Sequence, residues 1–456
     1  MQPKRFTVRL LTLLFSVLLI ASFSQSAGQL ARAQGTLAAT FGAVVGGDQT
    51  APTQMPITAT PVAAATDVPN ATPTSAPTTA PAAQPAIPPQ PSLHSDLMGI
   101  QVYANLEVDR WWGIVDRAQF MGFKWIKFQV SWKELEPVTK GEYSPTMTVL
   151  RDNMIYAGRR GFKMMLSIVN APDWARPAEA RGQQDGPPAN PQDYADFVGA
   201  VLDQFGTQYI SAVELWNEPN LQREWTGQPI SAASYRRYFD VAYNAIRARS
   251  GSIVVLTAGL APTGAGAASA DDRQYLRDLY KTGLPLNDPN FAIGVHPYGW
   301  ANAPDARCCA EQKQGWDDQP YFFFLDNILT YRQIMVENNH AGGKLWGTEF
   351  GWSTFDGLHY KSHVDGPPAV PTGEPWMNRI TEQQQAEYVV RAFELAQTGD
   401  LAAYMGPMML WNMNFASLPE FVKADQPSRP ESGYSVLDSD WGTRLVYRYL
   451  EAASKN

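Results

Sequence analysis

Two glutamates stand at positions whose surroundings suit reactive groups. Ser211–Asn220 reads SAVELWNEPN, an apolar run that must stop as a strand at Pro219. Proline has no N–H for a sheet ladder, so Asn217 and Glu218 are delivered to a strand's C-terminal end, where barrel enzymes keep their chemistry. Lys344–Thr354, KLWGTEFGWST, repeats the layout, with Glu349 closing a short apolar strand ahead of a glycine-aromatic loop. Two carboxylates at one rim can divide the work of cleaving a glycosidic bond. One protonates the leaving oxygen and the other attacks the anomeric carbon, the two lying about 5–5.5 Å apart when configuration is retained. That division requires Glu349 ionised and Glu218 protonated in the resting protein. Two carboxyls in one partly desolvated pocket push their pKa values apart and titrate as a coupled unit.

The elements that must position this pair are legible as an alternation. Candidate strands run over Met98–Tyr103, Trp125–Val130, Lys163–Val169, Ala212–Trp216, Ile253–Ala258, Ala292–Val295, Lys344–Thr348 and Met405–Leu410, with helical spacing between them. Tyr194, Phe197, Val198, Val201 and Leu202, for example, make one apolar stripe. Strands alternating with helices imply a parallel sheet, and eight such units close into a (β/α)8 TIM barrel. The open doubly wound alternative would need a glycine-rich phosphate loop after its first strand, and none is present. Barrels take roughly 250 residues, and over 400 with insertions, as one domain, so 456 residues require no second folded unit.

Ahead of the barrel, Lys4, Arg5 and Arg9 precede an apolar run over Leu10–Phe23, a length that suits a signal-peptide core and falls short of a spanning helix. Ala31, Arg32 and Ala33 offer a small-x-small cleavage site; an uncleaved anchor is the alternative. From about Gly47 to Ser92 the chain turns to Pro, Thr and Ala, which cannot bury enough apolar surface to offset chain entropy. The expected map is a signal peptide over 1–33, a disordered Pro/Thr/Ala-rich linker over 34–95 and the barrel over 96–456, with the protein secreted or tethered to the cell surface. Asn70 opens an N-x-T sequon, relevant only in a glycosylating host.

Four motifs in order on alternating strands resemble the retaining glycoside hydrolases of clan A, most nearly families 5 and 39, over roughly Leu97–Leu450. The resemblance implies an O-glycosidase with Glu218 as acid/base after Asn217 on the fourth strand and Glu349 as nucleophile on the seventh. HPYG at His296–Gly299 matches the sixth-strand histidine-x-tyrosine, and Trp411 in MMLWN matches the eighth-strand tryptophan. Under this reading Asn217 hydrogen-bonds the sugar 2-hydroxyl, Tyr298 donates to Glu349, His296 lines the pocket and Trp411 forms an apolar floor under the reacting sugar. Trp132, Trp174, Trp225, Trp300, Trp352 and Trp376 also fall in or near strand-end loops, which favours an open cleft and endo action; Trp132 is counted among the substrate-binding residues.

Two positions depart from family 5. Lys127, in GFKWIKFQVSW, stands where that family has arginine, keeping the charge but losing the bidentate fork. Asn170, at the third strand's end and also taken as substrate-binding, stands where histidine is common. Glu214, four residues before Glu218, should lie deeper in the barrel as a structural carboxylate paired with Lys127.

Composition excludes other classes. The net charge of −8, without runs of Lys or Arg, argues against nucleic acid and anionic membranes as partners; a carbohydrate substrate suits such a surface. His359 and His363 have i, i+4 spacing in a Gly/Pro/Asp-rich stretch with no third ligand, so no metal and no cofactor is expected, and the chain is expected to act as a monomer. Cys308 and Cys309, the two cysteines, form either a vicinal disulfide or two free thiols. A transglycosylase would share every residue named, and a non-catalytic carbohydrate-binding barrel would need one carboxylate missing.

Overall fold

The computed structural model describes residues 86–309, 314–360, 366–418 and 428–456. Eight parallel strands, β1 (Met98–Val102), β2 (Trp125–Ser131), β3 (Lys163–Val169), β4 (Ile210–Leu215), β5 (Val254–Thr257), β6 (Phe291–Val295), β7 (Lys344–Phe350) and β8 (Met405–Leu410), form a closed barrel in sequence order. Closure is made by β1 on β8, with Met98 opposite Met408 and Ile100 opposite Leu410. Among the described residues each strand is followed by a longer helix: α1 (Val108–Phe120), α2 (Pro145–Arg159), α3 (Pro191–Phe205), α4 (Ala232–Arg247), α5 (Asp272–Lys281), α6 (Phe324–Glu337), α7 (Glu382–Gln397) and α8 (Leu445–Ala452), with short helical turns at Trp132–Leu135 and Pro430–Tyr434 besides. The expected (β/α)8 TIM barrel is the observed fold, and each expected strand lies within two residues of its observed bounds.

Local sequence explains why these helices form. In α3 the Asn190 side chain accepts from the Gln192 N–H and Pro191 opens the first turn, where its missing N–H costs nothing. The stripe of Tyr194, Phe197, Val198, Val201 and Leu202 is buried against the strands. Gly206, at φ 85°, ends the helix in a conformation that only glycine adopts cheaply. Helix α7 is opened by a reciprocal capping box between Thr381 and Gln384.

Side chains alternate across each strand, and this alternation sorts the core into two. Outward residues such as Ile126, Phe128, Val130, Leu166, Ile168 and Val213 pack beneath the helices. Trp125, Met165, Ala212, Ala292, Trp346 and Met409 fill the interior near the strands' N-terminal ends as a separate apolar plug. Two residues further along the same faces the types change to Lys127, Ser167, Glu214, Gly294, Thr348 and Trp411. The barrel is thus apolar at its base and polar toward its C-terminal mouth, which is where a site can be built.

The barrel domain begins before the expected boundary at residue 96: within 92–95, expected as linker, Ser92–Leu93 pairs in parallel with Ser454–Lys455 and Leu93 is fully buried. The His94 N–H donates to Gln397 on α7, and the Ser95 N–H donates to the Asn456 carbonyl. Burial of Leu93 together with this pairing and these hydrogen bonds clips the chain to the barrel. The expected signal peptide, the linker up to Pro85 with Asn70, and His363 lie outside the described residues.

Candidate active site

Backbone irregularities deliver both glutamates. Strand β4 points Glu214 inward, and Trp216 at φ 80° and Glu218 at φ 41° then turn the chain through the left-handed region. Non-glycine residues pay a conformational cost there, and such residues concentrate at functional sites. The turn is held by the Glu218 N–H donating to the Gly259 carbonyl at 3.0 Å, and by the Trp216 ring, which is buried edge-on to Tyr194 and Trp225. On β7 the ladder slips: Gly347 pairs with Met408, but Phe350 pairs with Leu410. Three residues on β7 therefore span two on β8, a bulge, so Thr348 and Glu349 both face the interior while Phe350 packs outward on Phe324 and Phe393.

A continuous polar network joins the two carboxylates. Lys127 Nζ lies 3.1 Å from Glu349 Oε1, 2.9 Å from Glu214 Oε2 and 3.0 Å from the Thr348 carbonyl. The Tyr298 hydroxyl donates to Glu349 Oε2 at 3.1 Å. Glu214 Oε1 accepts from the Gly259 N–H at 3.0 Å and stands 3.9 Å from His296 Nε2. His296 Nδ1 is 3.1 Å from Glu218 Oε1, and Arg223 donates to Glu218 Oε2 at 2.8 Å. Close packing pins the imidazole: a Cβ on Gly259 would clash with it.

Electrostatics follow from this geometry. Burial opposes charge on Lys127, but the carboxylates of Glu214 and Glu349 overcome it and raise the ammonium's pKa above its ordinary value. Burial likewise opposes ionisation of Glu214, and Lys127 and His296 reverse it. For Glu218, burial raises the pKa, while the hydrogen bond from His296 and the charge of Arg223 act against it and bring it below the usual value. His296, despite burial, is pushed up by Glu349, Glu218 and Glu214. Tyr298 is raised well above its ordinary value, mainly by burial, and stays a donor.

Of the other expected site residues, Asn217 is fully buried with neither its Nδ2 nor its Oδ1 hydrogen-bonded, as a group reserved for a ligand hydroxyl would be. Trp411 packs edge-on to Tyr298 at 6.2 Å and to Tyr434 at 4.9 Å, beside the Glu349 partner. Asn170 ends β3 at φ 62°, and its carbonyl accepts from the Lys133 N–H, so it serves the turn. Trp132 is a correction: it has no exposed surface, stacks on Phe197 of α3 at 5.0 Å and donates Nε1–H to Glu136 at 2.6 Å. It lies on the outward side of the alternation that points Lys127 inward. Trp225 and Trp352 are buried in the same core cluster, and Trp300 and Trp376 are buried in a second aromatic cluster with Tyr298 and Trp411, so the tryptophan argument for an open cleft loses most of its weight.

Sequence reasoning missed Arg223, whose only signal is its place five residues after Glu218. It also missed Glu374 and Glu431, buried acids whose pKa values burial pushes up to about 7, and Tyr434 between them and Trp411. Cys308 and Cys309 are joined in a vicinal disulfide. His359 lies 3.4 Å from Asp440, and among the described residues no cluster of three potential metal ligands occurs.

The sequence model described as Cellulase (glycosyl hydrolase family 5) matches residues 105–382. No curated protein matches the chain. Among solved structures the chain is similar to a family 39 glycoside hydrolase from the gut symbiont Bacteroides cellulosilyticus WH2, at 19% identity and TM-score 0.55, covering 79% of this chain and 64% of that one. It is also similar to a glucosidase from Croceicoccus marinus (12% identity, TM-score 0.52, covering 80% of this chain and 68% of that one). A GH53 catalytic domain from Ignisphaera aggregans gives 13% identity and TM-score 0.52, covering 81% of this chain and 99% of that domain. The chain thus spans under two thirds of the family 39 protein's length, and these likenesses speak to the fold.

Proposed function

Because the chain belongs to glycosyl hydrolase family 5, the cellulase family, and is an O-glycosidase on a (β/α)8 barrel, we propose that it hydrolyses a β-linked oligosaccharide or polysaccharide with retention of configuration. Glu349 is the nucleophile and Glu218 the acid/base. The observation that carries this reading is the placing of Glu349: one oxygen faces Lys127 and the other accepts from the Tyr298 hydroxyl, which fixes the carboxyl's orientation at the barrel mouth. In the first step Glu349 attacks the anomeric carbon while Glu218 protonates the leaving oxygen. In the second, Glu218 takes a proton from the water that releases the sugar. Asn217, with two unused polar atoms, binds the 2-hydroxyl of the reacting sugar, and Trp411 lies under its ring.

We further read the protein as secreted or surface-tethered through the N-terminal apolar segment and Pro/Thr/Ala-rich tether, and as acting as a monomer without a metal. The test is a panel of β-glucans, xylans, mannans and exopolysaccharides with products read by mass spectrometry, followed by proton NMR of early hydrolysis. The first-formed product is expected to carry the substrate's anomeric configuration; the opposite anomer overturns the retaining mechanism. Glu349→Gln is expected to abolish turnover, whereas Glu218→Ala should spare substrates with activated leaving groups.

A further inference from the structure

His296 stands between two carboxylates. Its Nδ1 is 3.1 Å from Glu218 Oε1, its Nε2 is 3.9 Å from Glu214 Oε1, and the ring has no exposed surface. A carboxylate only accepts, and a neutral imidazole carries a lone pair on one nitrogen. At 3.9 Å the Nε2–Glu214 separation is too long for a hydrogen bond, so the Nδ1 contact alone is left to satisfy. A neutral ring protonated at Nδ1 satisfies it but leaves the pair with no proton to give. The pair holds a transferable proton in two ways: the ring carries both protons, or Glu218 holds one and donates it to Nδ1. These two states share one set of heavy-atom positions and differ in where a single proton sits along the 3.1 Å bond.

The surroundings choose between them. Arg223 lies 2.8 Å from the second oxygen of Glu218 and favours its ionised form. Around the ring stand Glu214 from β4, Glu349 and Thr348 from β7, the Tyr298 ring edge-on at 6.3 Å, and the bare Gly259. The nearby Lys127 is turned to the other oxygen of Glu214, at 2.9 Å, and to Glu349. Acidic groups thus dominate the field at the imidazole, which accords with its upward-shifted titration against the pull of burial.

Building on the reading of Glu218 as acid/base, we propose that the proton needed for cleavage is stored in the resting protein on His296 and passes from Nδ1 through Glu218 to the leaving oxygen, with Glu214 as the positioning residue that keeps it on the ring. The balance closes. As the glycosidic C–O bond breaks and Glu349 bonds to the anomeric carbon, the single stored proton moves from Nδ1 to Glu218 and on to the leaving oxygen, which leaves Glu218 ionised and the ring neutral. In the second step water adds to the anomeric carbon and the bond to Glu349 breaks. The water's proton goes to Glu218 and returns to Nδ1, restoring both carboxylates.

The test is 15N NMR of the full chain labelled at histidine, with the His296 signals assigned by their loss in His296→Asn. The expected result is an imidazolium at pH 7.5 in the resting protein; a neutral ring at pH 6 overturns storage on His296. Glu214→Gln should move the ring's titration down by about one unit or more, and Glu214→Asp should restore it should the amide variant fold poorly. For delivery, the basic limb of kcat/KM on substrates with poor leaving groups should coincide with the ring's titration and move down with it in Glu214→Gln. With a dinitrophenyl leaving group, that limb should vanish. A limb that stays while the ring's titration moves overturns the relay. If no glycan is cleaved, the glycosidase reading fails while the NMR result still reports the proton's place; a neutral ring in a chain that does hydrolyse glycans sinks this inference alone.

Discussion

Lys127 answers to two carboxylates at once, which decides what its loss would do. The sequence pairs it with Glu214; the structure places it within ion-pair distance of Glu349 as well, with no exposed surface. Lys127→Met would strand two buried acids, and losing one partner of a buried ion pair costs about 3–5 kcal/mol. The expected outcome is a Tm many degrees lower together with a large fall in kcat, since Glu349 loses the cation that orients it. Lys127→Arg should keep more of both than Lys127→Met. An unchanged kcat in a folded Met variant would remove Lys127 from the chemistry. The network also sets a pH window for stability. Glu214 is depressed below 4.5, so its contribution is present above that value and lost as pH falls through the lowered folded value. Lys127 is raised above 10.5, so its contribution is present below 10.5 and lost as pH rises through the folded value. Urea midpoints from pH 3 to 11 should show both losses in the wild type, and both should shrink in the double variant Lys127→Met with Glu214→Gln.

At the scale of the element, the site depends on departures from regular strands. The β7 bulge lets neighbouring residues Thr348 and Glu349 share the interior, and the left-handed turn after β4 carries Glu218 up to the rim. Gly259, two residues beyond β5, is where three elements converge: a Cβ there would clash with the His296 ring and stand 2.6 Å from Thr348 Oγ1. Gly259→Ala should therefore destabilise by about 1–3 kcal/mol through overpacking. It should also lower kcat more than KM is raised, because the ring beside Glu218 is displaced. A variant with unchanged kcat would show that the ring's position is not critical. Trp132 supplies the opposite case. Packed on α3, it should behave as core, so Trp132→Ala should cost about 3–5 kcal/mol while leaving KM unaltered below the variant's Tm. A raised KM would return it to the substrate-binding residues.

For the whole molecule, the barrel's layering separates stability from chemistry: the apolar plug of Trp125, Trp346 and their neighbours lies at the base, and the titratable cluster lies above it. The chain leading into β1 belongs to the stable part, since Leu93 is buried and its strand pairs with Ser454–Lys455. A chain beginning at Ala86 should keep the full-length Tm and activity on soluble substrate. Leu93→Ala should cost about 2–5 kcal/mol as a buried truncation. Thermal melts of the two decide the boundary, and a Leu93→Ala variant that melts with the wild type would restore the tether as far as residue 95.

Much of this protein is legible without coordinates. The eight strands, the parallel barrel, Glu218 and Glu349 at strand ends, and Glu214 buried against Lys127 follow from spacing, because period-two and period-3.6 patterns are local records of which face a segment buries. Trp132 could have been placed by the same rule, since it falls on the opposite parity from Lys127. What needed the tertiary structure were contacts between segments far apart in the chain. Arg223 meeting Glu218, Glu374 and Glu431 near Tyr434, and the bulge that turns Glu349 inward are settled by register and packing, which no local pattern encodes. The protonation of the pair belongs there too. Two glutamates by type suggest one neutral and one charged, but whether the proton sits on Glu218 or on His296 depends on Arg223, Glu214 and Glu349 arriving together, and charges act through space rather than along sequence.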